Sequence, residues 1–166
     1  MPRYVNEKLT SWKTQGFMEF EKYDVFQERY KKILLEKDKN LVTFLFFTGA
    51  SPQEVVNLRR DDITCEDHKL KFRIRRIGKD NKERALRFIE WPFKYPELHA
   101  FWDWVKQLPN DFFIFSWFHL PGSGAGNPRE YIRKHVGDAA YFFRHNINSL
   151  IVLLLAFLSL YLSTPL

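Results

Sequence analysis

The sequence predicts a mainly α-helical fold with a small antiparallel β-sheet, an α+β class, and three features of its 166 residues predict it. Apolar residues recur at helical spacing in several separate stretches. One stretch alternates apolar and basic residues on either side of a Gly-Lys-Asp-Asn turn, the pattern of a hairpin. Gly, Pro and Asn stand at the joins, where helices must stop and start.

Residues 17–35 form the first expected helix: Phe20, Tyr23, Phe26, Tyr30, Ile33 and Leu34 recur on one face, with Glu and Lys filling the other. A polar link over 36–40 then leads to a second helix over 41–47, apolar on nearly all sides and therefore expected to be buried. Thr48-Gly49 ends it. Ser51-Pro52-Gln53-Glu54 reads as a helix start, because serine can cap, proline suits the first helical position and a glutamate three residues on can close a capping box. That helix is expected to run to about Leu58, with Val55, Val56 and Leu58 inward.

In KLKFRIRRIGKDNKERALRFI, Leu70, Phe72 and Ile74 alternate with Lys71, Arg73 and Arg75, the turn falls at Gly78–Asn81, and Leu86 and Phe88 are expected to line the apolar face of the return strand. A short helix over 97–108 brings Leu98, Phe101, Trp102 and Val105 to the core. Residues 112–118 read as a short buried strand or extended segment, and PGSGAGNP over 121–128 as an exposed loop. Helices are expected over 129–140 and again from Tyr141. There is no internal repeat. Trp102, Trp104, Phe112 and Phe113 are expected in the core rather than as base-stacking platforms.

The organisation expected from this pattern is an extension over 1–15, one domain over 16–148 and an apolar tail over 149–166. Hydrophobic residues make up 45% of the chain, enough for one core. The start, MPRYVNEKLTSWK, is polar and has no apolar segment of the signal-peptide kind. Cys65 is the single cysteine, so no internal disulfide framework exists and an intracellular, cytoplasmic location is the default. The run over 150–162 is almost wholly apolar, interrupted by Ser159 and Tyr161, and is shorter than the roughly 20 residues that span a bilayer.

Lys and Arg number 26 against 20 Asp and Glu, a net charge of +6 that favours an anionic partner, either nucleic acid or a membrane surface. The basic residues concentrate in the hairpin: Lys69, Lys71, Arg73, Arg75, Arg76, Lys82, Arg84 and Arg87. Such a density of one sign suits a phosphate track and carries no base-reading pattern. No metal-ligand spacing, Gly-rich nucleotide loop or Ser-His-Asp arrangement is present, so neither a metal nor a cofactor is expected.

Three stretches share a register: FTGASPQEVVNLRRDDI, RRIGKDNKERALRF and YIRKHVGDAAYFFRHNINSL. Together they resemble the catalytic domain of the tyrosine recombinases, the phage-integrase family, of archaeal or viral type. The first matches at Thr48, Gly49, Pro52, Glu54, Leu58, Arg59, Asp62 and Ile63, and departs where the family has an arginine, because Ser51 stands there. The second places Lys79 where the family has a general-acid lysine. In the third, Arg144 and His145 match and Tyr141 replaces a histidine. The resemblance covers residues 17–150.

In that family a tyrosine hydroxyl attacks a DNA phosphodiester, two arginines clamp the negative charge that builds on the phosphate, and a histidine and the lysine move protons. The resemblance therefore implies remnant catalytic positions at Lys79, Arg144 and His145, degenerate positions at Ser51 and Tyr141, and DNA contact by Lys71, Arg73, Arg75, Arg76, Lys82 and Arg84. Serine is short and neutral, and losing a charged clamp costs about 10³ in rate or more. Tyr161 is the only tyrosine downstream, and its apolar setting reads as core or interface rather than nucleophile. The expected function is a degenerate, truncated recombinase-like domain, lacking the family's N-terminal helical domain. Such a domain is expected to bind double-stranded DNA non-specifically and to be related to DNA integration and recombination without cleavage. One alternative is an active recombinase completed by a partner subunit, either a second copy or a full-length recombinase. Another is a protein that the tail tethers to a membrane or joins into oligomers.

Overall fold

The computed structural model describes residues 23–122 and 126–136. Over these residues the fold class is the expected one, helices around a small antiparallel sheet. Helix α1 spans Tyr23–Lys32, α2 Glu36–Thr48 and α3 Pro52–Asn57. A one-turn 3-10 helix, Arg60–Asp62, leads into strand β1, Ile63–Glu66. Strands β2, Lys69–Ile77, and β3, Glu83–Pro92, form the hairpin. Helix α4, Pro96–Val105, a second 3-10 turn at Ser116–His119 and α5, Pro128–His135, complete it.

Helix α2 is the axis of the core. Leu41, Val42, Phe44, Leu45 and Phe47 are buried on successive faces, as an all-round apolar helix requires. Phe44 sits among the rings of Phe72, Phe101 and Phe115, at centroid distances of 5.8, 6.3 and 5.6 Å, and so joins the sheet, α4 and the second 3-10 turn. Burying one such side chain contributes about 1.5–3 kcal/mol. The helix ends at Gly49, whose φ of 60° is the left-handed conformation that lets its N–H return to the Leu45 carbonyl at 2.8 Å.

Several expectations are corrected. The polar stretch 36–40 is the first turn of α2 and not a link: Glu36 and Asp38 suit the positive end of the helix, and Asp38 turns inward to a tyrosine. Leu34 follows the end of α1 and is exposed. Residues 112–118 supply one isolated bridge, Phe113 to Arg59, and then the 3-10 turn, and Phe112 is exposed. Helix α4 stops at Val105. Strand β1, which the sequence reading did not separate out, adds a third strand in the order β1-β2-β3.

The largest correction concerns β3. Leu70, Phe72 and Ile74 are buried as expected. Nearest the turn, Ile77 pairs with Glu83, and continuing that register would set Leu86 opposite Ile74 and Phe88 opposite Phe72. A bulge between Arg76 and Ile77 shifts the register, so that Leu86 pairs with Arg75 and Phe88 with Arg73. A slip of one residue moves every side chain to the other face. Phe88 is consequently 74% exposed and Leu86 46% exposed on the outer face, while Arg87, Ile89 and Trp91 turn toward the core. Trp91 donates its indole N–H to the Phe47 carbonyl at 2.6 Å.

Candidate nucleic-acid interface

The turn that carries Ser51 is built by local chemistry. Ser51 has an extended backbone and heads α3, with Pro52 next. Its N–H donates to Glu54 Oε2 at 2.7 Å, and the Glu54 N–H donates to Ser51 Oγ at 3.3 Å, a complete capping box. The hydroxyl is thereby engaged with backbone. Glu54 is buried, and the charge it brings inside is met by Arg87 of β3, whose Nη2 lies 2.9 Å from Glu54 Oε2 and whose Nη1 donates to the Thr48 carbonyl at 3.4 Å. The shifted register thus delivers a guanidinium to the Ser51 turn. A buried carboxylate without such a partner would be costly.

A second tie joins the same helix to the hairpin. Gln53 Nε2 donates to the Ile77 carbonyl at 2.5 Å, and Arg76 Nε donates to Gln53 Oε1 at 3.0 Å. One neutral side chain spans the bulge and fixes the base of the turn that bears Lys79. The turn itself closes with the Gly78 N–H on the Lys82 carbonyl at 2.8 Å and the Asn81 N–H on the Gly78 carbonyl at 3.0 Å. Asn81 takes the positive φ that this geometry demands.

The basic residues of the hairpin divide into two groups. Toward its base, Lys69 pairs with Glu90 at 2.8 Å and Lys71 with Glu66 at 3.1 Å. Hydrogen bonding to Glu66 holds the Lys71 ammonium above its ordinary pKa, and hydrogen bonding from Lys69 holds the Glu90 carboxyl below its own. Asp62, fully buried at its side chain, receives Arg73 at 2.9 Å, Arg75 at 3.1 Å and the Arg59 N–H at 2.9 Å. Toward the tip, Arg84 pairs with Asp80 at 2.8 Å, Arg76 has only the neutral Gln53, and Lys79 and Lys82 are exposed with no ion pair among the described residues.

Arg59, one of the residues carrying the family resemblance, is held by Asp111 at 2.8 Å and lies 4.3 Å from the centre of the Phe113 ring, which secures the chain on either side of the sheet. Helix α5 opens the third motif. Its Tyr131 hydroxyl donates to buried Asp38 at 2.6 Å, and burial followed by that carboxylate pushes the phenol's pKa well up. Tyr141, Arg144, His145, Tyr161 and the apolar run 150–162 lie outside the described residues. No helix among the described residues is long and apolar enough to cross a membrane, and no group of three or more potential metal ligands occurs among them.

No family model matches the chain, and no curated protein matches it. Among solved structures it is similar to the XerH site-specific recombinase bound to difH substrate in a pre-cleavage complex. The identity is 18% and the TM-score 0.48, over 76% of this chain and 40% of that one. The chain therefore spans well under half the length of that recombinase.

Ser51 and Lys79 are thus linked through α3: the first caps it, and Gln53 beside it anchors the hairpin that carries the second. Sequence reasoning did not find Gln53 or the inward role of Arg87, because both depend on pairings more than twenty residues apart. Asp62 was visible as a motif residue, but nothing local showed that it would take two arginines.

Proposed function

We propose that this chain is a tyrosine-recombinase-type domain, degenerate at its catalytic positions, which grips duplex DNA by its phosphates through the hairpin tip and does not cut it. Three sequence stretches in family register support the kinship. The observation that carries the binding is the set of cations at the tip, Arg76, Lys79 and Lys82, none of which faces an acidic partner among the described residues. Phosphate contacts of this kind release counterions and read no sequence.

The inactive state rests on Ser51. Its hydroxyl accepts the Glu54 amide, and the nearby Arg87 guanidinium is committed to Glu54. Neither offers the free planar pair of donors that clamps a phosphoryl oxygen pair.

The test is fluorescence anisotropy of a generic duplex titrated with the full chain at several salt concentrations, beside a nicked suicide duplex. The expected result is a log–log salt slope of about −3 for the three tip cations, little preference among sequences, and no covalent adduct from the wild type or from Ser51→Arg. Salt-independent binding overturns the phosphate reading, and a phosphotyrosyl adduct overturns the inactive state.

A further inference from the structure

Strand β3 is an edge: the sheet order is β1-β2-β3, and among the described residues no strand pairs with its free side. An exposed edge of ten residues with apolar side chains is a template for another strand unless charge or cover blunts it. We propose that β3 pairs antiparallel with β3 of a second copy, about a two-fold axis at Arg87, and that this chain is a dimer with one continuous six-stranded sheet.

The strand is complementary to itself in that register. With Arg87 at the axis, Leu86 stands opposite Phe88 of the second copy and Phe88 opposite its Leu86, so the four exposed apolar side chains of the outer face cover one another. Arg84, the extra residue that the bulge leaves without a partner in β2, lies across from Glu90, twice. Both are exposed, and among the described residues both hold only surface partners, Asp80 and Lys69. Opposite charges and apolar pairs directly across a strand each contribute roughly 0.2–1 kcal/mol. The like charges that meet at the axis do not clash across the interface, because each Arg87 turns to the core side and is neutralised there by Glu54. Pro92, which lacks an N–H, stands at the end of the strand, where no ladder bond is lost. A second copy thus satisfies the exposed apolar pair and the flanking charges with the same register shift.

The pairing also sets a distance. Lys82 lies opposite Pro92 of the second copy, so the two basic tips are separated by roughly ten residues of strand, about 34 Å. A two-fold axis normal to the sheet keeps them on one face. That span is about one helical turn of B-DNA, the spacing at which a symmetric dimer meets the same face of the duplex twice. This spacing rests on the proposed phosphate-contacting tip, whereas the dimer does not.

Sedimentation equilibrium of the full chain without DNA tests the dimer. The wild type is expected to dimerise, and Phe88→Lys to weaken the dimer at least tenfold with its circular dichroism unchanged. Arg84→Glu and Glu90→Arg should each weaken it about tenfold, and the two together should restore it to within about threefold, since each charge then faces its opposite again. A monomeric wild type, a dimer indifferent to Phe88→Lys, or a double swap that fails to rescue overturns the proposal. Hydroxyl-radical footprinting then reads the spacing: two protected patches one turn apart support it, and one patch from an intact dimer overturns it. A dimer that protects no DNA supports the self-pairing and overturns the phosphate-contacting tip.

Discussion

Leaving aside the inward-facing Arg87, the base and the tip of the β2–β3 hairpin carry the same number of cations and differ in what those cations are free to do. At the base, Lys69, Lys71, Arg73 and Arg75 face Asp62, Glu66, Asp67 and Glu90, four acids for four bases. At the tip, Arg76, Lys79, Lys82 and Arg84 share the turn with Asp80 and Glu83 alone, and among the described residues only Asp80 is drawn into a pair. A basic stretch in a sequence is therefore not yet a phosphate track. The arginines nearest the middle of the strand serve the fold, by neutralising a carboxylate that the 3-10 turn buries, and the lysines beyond the bulge are exposed with no ion pair among the described residues.

The sharpest way to break this contrast is to remove the base pair of arginines. Arg73→Ala with Arg75→Ala leaves Asp62 buried with only the Arg59 N–H, and breaking a buried pair from one side costs about 3–5 kcal/mol. Because Arg73 is itself half exposed, the expected loss is toward the lower end, about 3 kcal/mol. Urea denaturation should show it, with the folded fraction of the variant still binding duplex. Unchanged stability would mean that Asp62 relaxes outward and that the base is not a structural unit. The tip should behave in the opposite way. Lys79→Glu with Lys82→Glu is expected to weaken duplex binding about 100-fold at moderate salt, and to cut the salt slope by about two. Its melting temperature should not change, because neither lysine has an ion pair to lose among the described residues. Wild-type affinity in that variant would remove the tip from the interface.

What the sequence made legible follows how local each determinant is. The capping box at Ser51 was readable because all its atoms belong to four consecutive residues. The buried face of β2 was readable because alternation alone places Leu70, Phe72 and Ile74 together. The Gly78–Asn81 turn announced itself through its glycine and asparagine, and with it the position of Lys79. The face of β3 was not readable. Leu86 and Phe88 alternate as core residues do, and one inserted residue at the bulge, which no local pattern marks, sends them outward and brings Arg87 in. The start of α2 was missed for a related reason: polar residues at 36–40 read as a link until Tyr131, far along the chain, supplies the partner that lets Asp38 be buried. For the candidate site, the identity of the cations was legible, and the division between paired and unpaired ones was not, since it depends on acids brought in by β1 and the turns.

Gln53 links the two regions, and its removal is a smaller perturbation. Gln53→Ala deletes the donor to the Ile77 carbonyl and the acceptor for Arg76, on an exposed edge of the bulge. The expected loss of stability is about 1 kcal/mol. Hydrogen exchange should report it as faster exchange of the Gly78 and Asn81 amides, while the β1–β2 ladder stays protected. If those amides are unaffected, the turn holds its position without the tie to α3.

The smallest effect is expected where the charges look most tightly paired. Lys69 and Glu90 lie 2.8 Å apart across the strands, yet both are exposed, and an exposed pair gains little over its hydrated ions. The Glu90 carboxyl is held below its ordinary value by Lys69, so whatever the pair contributes is present above that ordinary value, near pH 4.5, and disappears as the pH falls through the lowered one. Lys69→Ala should leave the melting temperature at pH 7 within the scatter of replicate scans, and should leave duplex affinity and the salt slope alike untouched, because this lysine's charge is already offset within the fold. A marked loss of affinity in Lys69→Ala would show that DNA competes with Glu90 for the ammonium, and that the base of the hairpin opens its ion pairs to bind.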